Sequence, residues 1–228
     1  MLADASNFVQ PVDNTFIFIV VICVFFLVLI TALMVTFVIK YNSKKNQKAK
    51  NIEGNIPLEI TWTVIPTVLV VFMFYFGWTG YRQMNDVPKG AMEVNVYAQM
   101  WTWSYKYPDG FLTDTLFCPV NKPVKVFLYS KDVDHSFYVP AFRVKKDVIP
   151  NRVNTAWFLP TRVGSYDVLC AEYCGLRHSY MYSAVVVLPQ EQFDIWLAKQ
   201  KLKGSQSADS TSAKVSQSTD STSTNKKY

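Results

Sequence analysis

The sequence predicts two membrane-spanning helices followed by one all-β domain, a sandwich or Greek-key barrel. Three observations carry this. From Thr15 to Ile39 no residue is charged, and a helix of that length, rising about 1.5 Å per residue, exceeds the roughly 30 Å hydrocarbon core of a bilayer. A second uncharged stretch runs from Ile60 to Tyr81, and its Trp62 and Trp78 stand about 24 Å apart along a helix, as an aromatic belt requires. From Ala91 to Leu188 the pattern changes to short alternating apolar runs broken by Pro, Gly, Asp and Asn, which marks strands.

Residues 1–14 form an N-terminal segment with Asp4 and Asp13 and no Lys or Arg. A cleaved signal peptide would need a basic start, so 15–39 reads as a retained span. The loop 40–59 opens with Lys40, Lys44, Lys45, Lys48 and Lys50. Such an excess faces the cytoplasm or its equivalent and leaves both termini on the opposite side. These five lysines also account for most of the net charge of +6, so the basicity calls for no nucleic-acid partner. Glu59 suits a helix start, where a carboxylate complements the dipole, and the second span is 60–81, with Pro66 expected in its first turns.

In the β domain, 91–203, candidate strands are Met92–Gln99, Trp101–Tyr107, Val124–Ser130, Phe137–Val139, Thr155–Phe158, Gly164–Leu169 and Tyr180–Leu188. A helix is expected over Glu191–Lys203, with Phe193, Trp196 and Leu197 on one face. Residues 204–228 are mostly Ser, Thr, Asp, Gln and Lys, too polar to bury a core, and are expected to be disordered.

Cys170, Cys174, His178 and Met181 follow one another at spacings of four, four and three, and His135 is the only other histidine. The spacing also fits one face of a helix, but Gly175 and the strand-like flanks place the run in a loop. A Cys170–Cys174 disulfide would leave the histidines and Met181 unexplained, and a structural zinc site does not need the methionine. Thiolate, imidazole and thioether together select copper. A blue-copper centre uses one thiolate; two are enough to bridge a pair of metal ions, with Met181 and a loop carbonyl as weak further ligands.

The spacing C-x-x-x-C-x-x-x-H-x-x-M, the segment Asp132-Val133-Asp134-His135-Ser136-Phe137 and the hairpin motif Glu59-Ile60-Thr61-Trp62-Thr63-Val64-Ile65-Pro66 resemble subunit II of haem-copper cytochrome c oxidases, from about Asp13 to Lys203. The resemblance implies a cupredoxin fold and a binuclear copper (CuA) centre. Its ligands would be His135, Cys170, Cys174, His178 and Met181 by side chain and Glu172 by its backbone carbonyl. It further implies that the Glu172 side chain reaches a magnesium ion shared with subunit I, and that Glu59 lies near the entrance of a proton pathway. Trp101 would receive electrons from cytochrome c. Implied partners are subunit I with its haem and CuB, subunit III and membrane lipids, in a bacterial cytoplasmic or mitochondrial inner membrane with the copper domain on the periplasmic or intermembrane side. The activity implied is passage of electrons to haem for reduction of dioxygen to water, coupled to proton translocation.

Other classes are a copper-free quinol oxidase subunit and the CuA subunit of a nitric or nitrous oxide reductase. The intact ligand set opposes the first, and the hairpin motif favours the oxygen reductase over the second. Trp101, Trp103, Tyr105 and Tyr107 alternate with polar residues, so all four rings are expected on one strand face. Between Arg82 and Lys203 there are 15 Lys and Arg against 11 Asp and Glu, a difference of +4. Steering needs opposite signs, so the expected donor is an acidic or membrane-attached cytochrome. No Cys-x-x-Cys-His occurs, so no haem is attached to this chain. Cys23 in the first span reads as a small apolar residue and Cys118 in the β domain as a core or loop thiol, both outside the copper proposal.

Overall fold

The computed structural model describes residues 4–44, 48 and 53–203. The tail 204–228 and part of the basic loop lie outside the described residues. The chain forms two units, one of membrane helices over Gln10–Asp86 and one of β-structure built from the N-terminal residues and Val87 onward.

In the membrane unit, α1 spans Val9–Lys40 and α2 spans Ile56–Asn85. Both are apolar around their whole circumference and expose that surface, which is what a lipid-facing helix does. Phe18 of α1 meets Phe76 of α2 edge to face, with centroids 5.5 Å apart. α2 starts earlier than the uncharged run. The Asn55 side chain accepts from the Leu58 N–H at 3.2 Å, Glu59 Oε1 accepts from the Asn55 N–H at 3.3 Å, and Pro57 occupies the first turn. These contacts supply partners for helix-start donors. Pro66 therefore lies about three turns inside the helix rather than at its start. Its missing N–H withdraws the helix donor of the Trp62 carbonyl, and around it the hydroxyls of Thr61, Thr63 and Thr67 bond backward to the carbonyls of Pro57, Glu59 and Thr63.

Among the described residues the β unit has ten strands: β1 Met92–Gln99, β2 Thr102–Lys106, β3 Leu112–Thr113, β4 Leu116–Pro119, β5 Val124–Ser130, β6 His135–Val139, β7 Val144–Val148, β8 Asn154–Phe158, β9 Gly164–Cys170 and β10 Tyr182–Leu188. They form two five-stranded sheets, ordered β3-β2-β1-β5-β8 and β4-β10-β9-β6-β7. The pairs β1/β5 and β4/β10 are parallel and the rest antiparallel. Inward residues alternate as a sandwich demands. Val94, Val96 and Ala98 of β1 and Val124, Val126 and Leu128 of β5 are buried, as are Phe137, Val168, Val185 and Val187 of the other sheet. A helix, α3, covers residues 190–203. Its Trp196 stacks on Phe117 at 4.5 Å and meets Tyr107 and Phe111 edge-on.

Residues 4–9 differ from the expectation of a separate N-terminal segment, because they are built into the sandwich. Ala5, Phe8 and Val9 are buried, Ser6 Oγ donates to the Phe142 carbonyl at 2.8 Å, and Asn7 bonds Leu159 through both its backbone N–H and its side chain. Phe8 packs edge-on against Trp157, centroids 4.8 Å apart.

Candidate copper site

β6 and β9 are adjacent, with Phe137 opposite Cys170. That pairing sets His135, the first residue of β6, beside the loop leaving β9. The loop from Cys170 to Met181 closes on itself. The Cys170 N–H donates to the Met181 carbonyl at 3.2 Å, the His178 N–H to Gly175 O at 3.1 Å, and the Ala171 N–H ties the loop to Ser136 O at 3.1 Å. A single turn of 3-10 helix, His178–Tyr180, then turns Met181 inward to 1% exposure.

The two sulfurs stand 3.7 Å apart, with Cys170 Sγ 3.8 Å from His135 Nδ1 and Cys174 Sγ 3.6 Å from His178 Nδ1. Met181 Sδ lies 3.8 Å from Cys174 Sγ, and Glu172 O lies 3.2 Å from Cys170 Sγ. Both thiols are free, and their separation is far beyond the roughly 2.05 Å of a disulfide. It suits a shared ion. Two ligands bound tetrahedrally to a first-row metal, at about 2.3 Å for sulfur and 2.0 Å for nitrogen, lie about 3.8 Å apart for a sulfur pair and about 3.5 Å for sulfur and nitrogen. His135, Cys170 and Cys174 are all buried, and their ligand atoms lie within 4.8 Å of one another. The donor set fits copper.

Electrostatics prepare one thiolate first. Burial raises the Cys170 thiol, but hydrogen bonds with His135 and with the Ser136 and Glu172 backbone outweigh it and bring it below the usual thiol value. Burial raises Cys174, and the neighbouring Cys170 sulfur raises it further. A bound cation removes that opposition by neutralising both thiolates.

Asp132 is a residue that sequence reasoning did not single out. Its Oδ1 lies 2.8 Å from His135 Nε2, and its Oδ2 accepts from the Met100 N–H at 2.6 Å. Burial raises this carboxyl, yet the Met100 N–H and His135 hold it below the usual carboxylate value. A carboxylate acceptor places the imidazole proton on Nε2 and leaves the Nδ1 lone pair facing the sulfur. The signal was present in sequence as an acid three residues before the histidine.

Trp101 does not share the face of the other three aromatics. β2 begins at Thr102, the Met100–Trp101 peptide is cis, and the partly exposed Trp101 sits in the turn before the strand, whereas Trp103, Tyr105 and Tyr107 are core residues. The Trp101 indole N–H donates to the Cys174 carbonyl at 3.1 Å. Gly175 allows this with φ of +108°, and a Cβ there would sit 3.5 Å from the ring. Glu172 is exposed, and Glu59 caps α2 in the membrane unit.

A two-sheet sandwich following two membrane-span helices, with two thiols, two imidazoles and a thioether gathered at one end, defines a membrane protein of cupredoxin-like class with a candidate copper site. Comparison with known proteins narrows the class. Residues 111–188 match the family described as "Cytochrome C oxidase subunit II, periplasmic domain", and residues 2–78 match its transmembrane domain. Cytochrome c oxidase subunit 2 of Cereibacter sphaeroides is 31% identical over 79% of this chain and 73% of its own length. Alternative cytochrome c oxidase subunit 2 of Bradyrhizobium diazoefficiens is 34% identical over 72% and 71%. The crystal structure of the periplasmic domain of subunit II of cytochrome oxidase (CoxB) of Bradyrhizobium japonicum superimposes with a TM-score of 0.50 and 34% identity, covering 52% of this chain and 99% of that one. The chain belongs to the cytochrome c oxidase subunit II family, and is thus a subunit of an oxidoreductase complex.

Proposed function

We propose that this chain is the subunit through which electrons from a cytochrome c donor enter a terminal oxidase, which reduces dioxygen to water in a haem-bearing partner subunit and translocates protons. The observation carrying this reading is the arrangement of the sulfurs, side by side with one imidazole nitrogen against each. That distribution suits two ions better than one, and His135, His178, Cys170, Cys174, Met181 and the Glu172 carbonyl are the groups that would hold them. A copper pair held there supplies one-electron storage shared over two nuclei, with little change in bonding.

The chain's own residues provide the rest. Trp101, hydrogen-bonded to the Cys174 peptide, offers a partly exposed ring against the ligand loop for a transient redox partner. Asp132 ties the turn carrying Trp101 to His135, since one carboxylate takes both the Met100 N–H and the His135 imidazole. Burial of His135, Cys174 and Met181 excludes water and limits rearrangement as charge changes. The Glu172 carboxylate, exposed beside the loop, is assigned to a magnesium ion shared with subunit I, and Glu59 to the approach of a proton pathway. The copper domain is assigned to the periplasmic or intermembrane side, with subunits I and III as partners in the membrane.

Copper analysis of the full chain in detergent tests the centre. Two coppers per chain are expected, with the pair lost in Cys174→Ser. A single copper, or zinc retained against copper, would refute the reading.

A further inference from the structure

The outer face of the first sheet ends at the turn that carries Trp101, and its charge is one-sided. Outward positions of β1 and β5 hold a half-buried aromatic stripe in which Tyr97 and Tyr129 stack at 5.1 Å. Cations cover it. Lys131 Nζ lies 5.5 Å above the Tyr97 ring and Lys125 Nζ 4.3 Å above Phe127, while Lys106 is exposed opposite Asn95. Glu93 is the single acid among the outward positions of β1, β2 and β5, and it is paired with Lys125 at 3.4 Å. At the turn itself both oxygens of Asp132 are engaged by Met100 and His135, which leaves Met100, 44% exposed, and the loop residue Leu176, 88% exposed, as apolar surface beside Trp101. Arg177 follows Leu176, and the exposed acids close in sequence are Asp134 and, earlier in the same loop, Glu172.

We propose that the electron donor docks across the Trp101 turn and this adjoining sheet face, and that it presents a negatively charged surface around an apolar contact patch. The inference rests on the proposed function and adds the docking face and the sign of the partner. Apolar atoms at the centre give a weak, quickly released contact, and the lysine rim attracts carboxylates over about a Debye length, roughly 10 Å at moderate salt. A lysine held over an aromatic ring, as Lys131 is over Tyr97, keeps a fixed position from which to attract a carboxylate.

The test uses the copper-loaded full chain in detergent and two reduced c-type cytochromes, one acidic and one basic, with rapid-mixing reduction of the copper centre as readout. The acidic donor is expected to react at least about tenfold faster at low ionic strength, with the advantage falling as salt rises. In Lys106→Glu/Lys131→Glu the order of the two donors reverses, while the copper spectrum and reduction by uncharged hydroquinone stay unchanged. Faster reduction by the basic donor, or equal rates before and after charge reversal, overturns the proposed face. A chain that binds no copper overturns the function and the docking face together, so the two failures are distinguishable.

Discussion

Gly175 shows how one backbone conformation serves the site. A Cβ there meets only the Trp101 ring, at an ordinary 3.5 Å, so space is not what excludes a side chain. The φ of +108° is. Gly175→Ala is expected to cost about 1–3 kcal/mol from backbone strain, read as a lowered unfolding temperature. It should also loosen the Trp101–Cys174 hydrogen bond, seen as altered indole fluorescence in the copper-free chain. Asp132 and Trp101 illustrate what residue-level reading reaches and misses. The ligand-type residues announced themselves by chemistry, since few other uses explain two thiols, a histidine and a methionine so close together. Asp132 did not, because an acid near a histidine has many ordinary meanings and only the fold turns it toward both Nε2 and the Met100 N–H.

At the scale of elements, the segment 4–9 is the clearest addition. Phe8, 3% exposed, fills a place against Trp157, and Phe8→Ala is expected to destabilise the β unit by about 3–5 kcal/mol, measured by denaturant unfolding of the full chain in detergent. Polar and apolar residues mix in this stretch without period, which is why sequence gave no reason to attach it to strands far along the chain. β1 and β5 were legible to the residue because their alternation is strict. β7 was hidden by Lys145, Lys146 and Asp147, charges that an edge strand tolerates and even needs. β4 was hidden by Cys118-Pro119, where a proline is acceptable only because the strand lies at an edge. Trp101 was assigned to the strand by alternation alone, whereas the turn at Met100 breaks the period and leaves its ring beside the copper loop.

Across the whole molecule, buried phenols set an alkaline limit. Burial pushes Tyr105 and Tyr107 well above their ordinary value of 10.0, despite hydrogen bonds to Ser183 and the Phe117 backbone. Above pH 10 the unfolded chain releases these protons while the folded chain retains them, so stability is complete below pH 10 and falls as pH rises. Each group contributes a slope of about 1.4 kcal/mol per pH unit. Tyr105→Phe should remove one proton's worth of that slope, checked by unfolding free energy against pH. A membrane anchor, a rigid sandwich and a sulfur-rich loop together make one electron-entry subunit, in which we propose that two thiolates hold two copper ions as one redox unit. Electron paramagnetic resonance of the oxidised, copper-loaded full chain tests it most directly. The account predicts hyperfine structure from one unpaired electron shared equally by two copper nuclei. Hyperfine structure from a single copper nucleus would contradict it.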